Sequence, residues 1–91
     1  MKKQTSLYMK RFDLGEQDLI YDELEWVQRG LFVRAVDINH IEPRRMGGSK
    51  TKDYIENLMA LSRENHIRFE NGEIPNAKEI HMEFLKNSPY Y

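Results

Sequence analysis

Between Asp37 and Glu70 the chain carries side chains suited to holding one metal ion and one phosphate. The stretch opens Asp37-Ile38-Asn39-His40-Ile41 and continues Glu42-Pro43-Arg44-Arg45-Met46-Gly47-Gly48. It closes with Asn57-Leu58-Met59-Ala60-Leu61 and, nine residues after Asn57, His66. Imidazole nitrogen and carboxylate or amide oxygen are the usual protein ligands of divalent cations. A glycine-rich loop bearing Arg44, Arg45, Lys50 and Lys52 is suited to cradling a phosphate.

These groups need elements to position them. Leu31 to Ile38 is the best strand in the chain, rich in β-branched and aromatic residues and bounded by Gly30 and Pro43. Carried on in extended form, it turns Asp37, Asn39 and Ile41 to one face and Ile38 and His40 to the other. Adjacent residues can then serve two roles on opposite faces. Asp13 to Arg29 reads as helix or irregular helix, with Leu19, Ile20, Leu24 and Val27 spaced for one face and Gly30 as its stop. Trp26 reads as a core anchor. Pro43 to Asp53 has no apolar period and reads as a loop. Tyr54 to Phe69 suits either a helix throughout or a short buried strand, Leu58–Leu61, with Ser62 capping a following helix. Asn71-Gly72 marks a turn. Asn76 and Glu79 have the spacing of a capping box for a helix reaching about Lys86, with Ala77, Ile80, Phe84 and Leu85 as its inner face. Residues 1–12 are either a solvated basic terminus or a short helix. His81 fits no motif and is expected at the surface.

Composition bounds the rest. Ninety-one residues fit one small domain, which buries only about 60–65% of its unfolded surface. There is no cysteine, so disulfides and thiolate zinc sites are excluded. No stretch approaches the roughly 20 apolar residues of a membrane helix, and no signal peptide is apparent, so a cytoplasmic protein is expected. Net charge is −1, but it is unevenly spread: residues 16–25 hold five acids and no base, whereas residues 44–52 hold four bases and no acid. A polyanion is expected to meet the second segment and avoid the first.

Asn39-His40-Ile41, the Gly47-Gly48 loop, Asn57-Leu58 with Leu61, and His66 together resemble the HNH endonucleases, in particular small bacterial and phage members without structural zinc. The likeness covers about residues 35–72. It implies an α+β chain with a ββα-metal core over about 31–72, flanked by helices at about 13–29 and 76–87. Leu58–Leu61 becomes the second strand and Arg63–Glu70 the helix. By position, His40 matches the general base, and Asn57 the asparagine that orients the base's loop. Asn39 and His66 match metal ligands, with Asp37 and Glu70 as further candidates. Arg44, Arg45, Lys50 and Lys52 would grip DNA, and Mg²⁺ or Mn²⁺ would be the cofactor, Zn²⁺ or Ni²⁺ being possible. Two departures stand out. Asn39 is neutral where His or Asp is usual. The two Cys-x-x-Cys pairs of zinc-bearing relatives align with Asp22 and Glu25 and with Ser62 and Asn65, so apolar packing around Trp26 and Leu61 is expected in the zinc's place. The implied activity is hydrolysis of DNA phosphodiester bonds. The alternatives are a non-cleaving DNA-binding module on the same scaffold, or a protein-interaction domain using the acidic helix. A protein partner or a homodimer would be compatible with any of the three.

Overall fold

The computed structural model describes residues 3–15, 17–42 and 54–90. It is an α+β fold in the order α1 (Lys3–Arg11), α2 (Glu23–Arg29), β1 (Asp37–His40), a 3₁₀ turn (Ile55–Asn57), β2 (Leu58–Leu61), α3 (Arg63–Glu70) and α4 (Ala77–Lys86). No helix among the described residues is long and apolar enough to cross a membrane.

The core is built around β2. Its four residues are apolar and fully buried, as a strand covered on both faces requires. Strand alternation sends Leu58 and Ala60 into a cluster with Tyr8, Phe12, Ala35, Phe84 and Tyr90. Met59 and Leu61 enter another with Leu24, Ile74, Ala77 and Ile80. β1 pairs antiparallel with β2 in the register Asp37↔Leu61, Ile38↔Ala60, Asn39↔Met59, His40↔Leu58. The bounds of β2 and α3 are those the sequence implied, and Ser62 caps α3, its Oγ accepting from Asn65 N at 3.3 Å.

Other expectations are corrected. The strand is Asp37–His40 rather than 31–38, because the upstream segment pairs elsewhere. Asp22 N donates to Val33 O at 2.6 Å and Ala35 N to Ile20 O at 2.8 Å, and only Val36 N, at 3.0 Å from Leu61 O, reaches β2. The same pairing holds residues 20–22 extended, so the helix expected over 13–29 shrinks to α2. Asp22 caps it, accepting from Glu25 N at 2.8 Å, and Gly30 closes it in the left-handed region at φ 67°. Residues 3–11 form a helix with Tyr8 and Met9 buried, not a solvated arm. The capping box does not form: Asn76, at φ −99° and ψ 28°, lies outside the extended region a cap uses and makes no side-chain cap bond.

The largest correction concerns buried charge. Asp22, Glu23 and His81 are fully buried, so two acids of the acidic segment lie in the core and His81 is not a surface residue. The edge of β2 away from β1 exposes two backbone N–H groups that would otherwise lack partners. Ala60 N donates to Glu23 Oε2 at 3.0 Å and Ser62 N to Asp22 Oδ2 at 2.7 Å, so two carboxylates stand in for a third strand. Glu23 also accepts from the Tyr8 hydroxyl and faces His81 Nδ1 at 2.6 Å. His81 Nε2 lies 2.6 Å from Ile55 O. A carbonyl only accepts, so Nε2 carries the proton. Burial pushes the Glu23 carboxyl up, while the bonds from His81, Tyr8 and Ala60 pull it back.

Nor does apolar packing link Trp26 to Leu61, which sit against different clusters. Instead Asn65 Nδ2 donates to Asp22 Oδ2 at 2.8 Å and to Glu25 Oε2 at 3.0 Å, tying α3 to α2 through a polar cluster of Asp22, Glu25, Ser62 and Asn65.

Glu23→Ala leaves Tyr8, Ala60 N and His81 without their acceptor, and an expected loss of about 3–5 kcal/mol follows. Glu23→Gln retains an acceptor for Tyr8 and Ala60 N, and is expected to cost under about 2 kcal/mol. A carboxyl raised on folding adds stability that is full below its ordinary value of 4.5 and is lost as pH rises through the folded value. Urea melts should therefore show the deficit of Glu23→Gln shrinking as pH climbs from 4.5 toward the folded value; a deficit that grows would contradict the assignment.

Candidate active site

Asp37 and Asn39 project from one face of β1 by strand alternation, and α3 brings His66 against them. The docking of α3 fixes that approach: Ser62 caps it, and Asn65 anchors it to Asp22 one residue before His66. His66 Nδ1 lies 3.3 Å from Asp37 Oδ2, and His66 Nε2 lies 2.8 Å from Glu70 Oε1, one helical turn on. Arg63 Nη2 stands 3.5 Å from Asp37 Oδ1.

The 3.3 Å approach is close enough for an ion pair but lacks hydrogen-bond geometry. Asp37 Oδ2, His66 Nδ1 and Asn39 Nδ2 are buried atoms with no hydrogen-bond partner. In the tautomer that donates Nε2–H to Glu70, Nδ1 carries a lone pair, and two acceptors face each other across 3.3 Å. A divalent cation between them would satisfy both. Asn39, 8% exposed, needs only an amide rotation to turn its carbonyl oxygen where Nδ2 now lies.

No cluster of three or more His, Cys, Asp or Glu suited to a metal occurs among the described residues. The set that fits is Asp37 and His66 completed by the neutral amide of Asn39. Glu70 lies at Nε2, across the His66 ring from Asp37, where it can orient the ring for a metal at Nδ1.

Asp37, Asn39, His66 and His40 line one open cleft of about 420 Å³, together with Val36, Ile38 and, from α1, Gln4 and Thr5. Asn57 is fully buried and clamps the strand just beyond His40. Its Oδ1 accepts from Glu42 N at 2.8 Å, its Nδ2 donates to Glu42 O at 3.1 Å, and its own carbonyl accepts from Ile41 N at 2.9 Å. Asn57 therefore positions the strand end rather than lining the cleft. Arg44, Arg45, Lys50 and Lys52 lie outside the described residues. Gln4, Thr5 and Arg63 reach the site without a motif to mark them; the only hint was the basic, mixed-polarity start of the chain.

No family model, curated protein or solved structure matches the chain.

Calorimetric titration with Mn²⁺ tests the ligand set. Asp37→Ala is expected to abolish measurable binding, and Asn39→Asp to tighten it about tenfold by adding an anionic oxygen. Glu70→Gln retains an acceptor for Nε2–H and should stay within about threefold of the native protein. Loss in Glu70→Gln with retention in Asp37→Ala would put the ion on the other side of the ring.

Proposed function

We propose that this chain is a metal-dependent DNA endonuclease of the HNH type, with a ββα-metal core formed by β1, β2 and α3. One observation carries the reading. Asp37 Oδ2, Asn39 Nδ2 and His66 Nδ1 are buried without a hydrogen-bond partner, and their residues line a cleft that also holds His40. Buried polar atoms usually find partners, so three orphans in one cleft call for a ligand. A divalent cation fits their donor types, Mg²⁺ or Mn²⁺ best for a set with two oxygens and one nitrogen.

Further support comes from the far side of α3. Asp22, Glu25, Ser62 and Asn65, at the positions that resemble the zinc cysteines of other HNH proteins, hydrogen-bond to one another. The polar cluster ties together the two segments that a zinc ion would join, and the chain therefore needs no structural zinc.

Each residue has a role in hydrolysis. Asp37 and His66, with Asn39, hold the cation, which when bound polarises the scissile phosphate and stabilises the departing oxygen. His40 takes a proton from water as the water oxygen bonds to phosphorus and the phosphorus–oxygen bond to the leaving group breaks. Asn57 fixes the strand end two residues beyond His40 through Glu42. Arg44, Arg45, Lys50 and Lys52 supply the cationic surface that holds the DNA backbone.

The neutral Asn39 favours a second reading, a DNA-binding module that has lost cleavage. Nicking of supercoiled plasmid with Mn²⁺ or Mg²⁺ separates the two. Metal-dependent nicking that EDTA stops is expected, and His40→Ala should lower its rate by about 10²–10⁴ while Mn²⁺ affinity stays unchanged. DNA binding without nicking would establish the module instead, and a His40→Ala protein that cuts at the native rate would remove His40 as the base.

A further inference from the structure

We infer that His81 and Lys78 of α4 are positioning residues for the site: they hold the turn that carries Asn57, and through it the strand end beside His40. The inference rests on the nuclease reading only for its effect on cleavage; the mechanical link stands on the contacts themselves.

Asn57 closes the three-residue turn Ile55–Asn57. So short a 3₁₀ turn does not hold its own shape, because its bonds are few and poorly aligned. Ile55 O accepts from Leu58 N within the turn, and two of the turn's carbonyls also accept from outside. His81 Nε2 donates to Ile55 O at 2.6 Å, and Lys78 Nζ donates to Glu56 O at 2.9 Å. Residues three apart share a helix face, so a single face of α4 grips two successive carbonyls. Lys78 also lies 6.0 Å over the Tyr54 ring, at the residue that begins the turn.

On its other side the turn grips β1. Asn57 O accepts from Ile41 N, and the Asn57 amide takes both backbone groups of Glu42. Rotation of the turn would carry the amide off Glu42 and release the strand end that sets the direction of His40. His81 resists that rotation because its other nitrogen is held by Glu23, itself fixed by Tyr8 and Ala60. The contacts run unbroken from Glu23 through His81, Ile55 and Asn57 to Glu42.

Three variants divide this role from plain packing. The amide nitrogen of His81→Gln falls near the place of Nε2 and retains the donor to Ile55. That of His81→Asn falls near Nδ1, so it retains the Glu23 contact and loses Ile55. Lys78→Met removes an exposed contact and leaves the core intact. The readouts are hydrogen exchange of the Glu42 amide, and kcat and KM for Mn²⁺-dependent plasmid nicking. Glu42 exchange is expected to rise about fivefold in His81→Asn and about twofold in Lys78→Met, each being the loss of one hydrogen bond. His81→Gln should stay near the native rate even where its melting temperature falls. kcat should drop in the same order at unchanged KM. Glu42 exchange that is native in Lys78→Met, or equal in His81→Asn and His81→Gln, would overturn the inference. If the exchange pattern appears but no protein nicks DNA, the positioning link stands and the nuclease reading falls.

Discussion

Glu23 sets a carboxylate at 0% exposure where α1, α2, β2 and α4 meet, and the fold depends on its being satisfied there. Removing such a group from water costs several kcal/mol, a large share of the roughly 5–15 kcal/mol that holds a domain folded. Three donors offset that cost: the Tyr8 hydroxyl, the Ala60 amide and the His81 ring. Apolar packing alone would let α1 and α4 slide along their clusters. Directed bonds to one carboxylate fix both against the edge of β2, and Asp22 does the same for α3 through Ser62 and Asn65.

That arrangement explains where the site lies. β2 is closed on all sides: by apolar clusters on its two faces, by β1 on one edge and by carboxylates on the other. Polar chemistry is left to the far edge of β1, where α1 and α3 flank the cleft. There the satisfaction found in the core stops. Each buried polar atom left without a partner costs about 1–3 kcal/mol, so three in one cleft weigh against folding unless something binds them. Local rules of folding tend to be broken at functional sites, and here the breach coincides with the residues whose spacing drew attention in the sequence.

The legible parts were those written locally. Leu58–Leu61 was open to a buried strand, which the family likeness chose over a helix; Ser62 was legible as its following cap, Gly30 as a stop, and strand alternation put Asp37 and Asn39 on one face. The illegible parts depend on partners distant in the chain. Glu23 meets Tyr8, Ala60 and His81, which lie 15, 37 and 58 residues away. No window of sequence shows that a charged residue will be buried against such partners, so the acidic segment was read by its charge alone and His81 as a surface residue. Residues 31–36 had strand character but paired with residues 20–22, a choice that propensity does not make. Glu70 shared a helix face with His66, but only the side-chain geometry set it across the ring from Asp37.

The most direct measurement is a crystal structure of the protein soaked in Mn²⁺, with the metal located by its anomalous signal. The expected result is a single peak bonded to Asp37 Oδ2 and His66 Nδ1, the Asn39 side-chain oxygen turned toward it, Glu70 on Nε2, and His40 in the same cleft but off the metal. A peak on the Glu70 side of His66, or no peak and a direct Asp37–His66 hydrogen bond in its place, would contradict it.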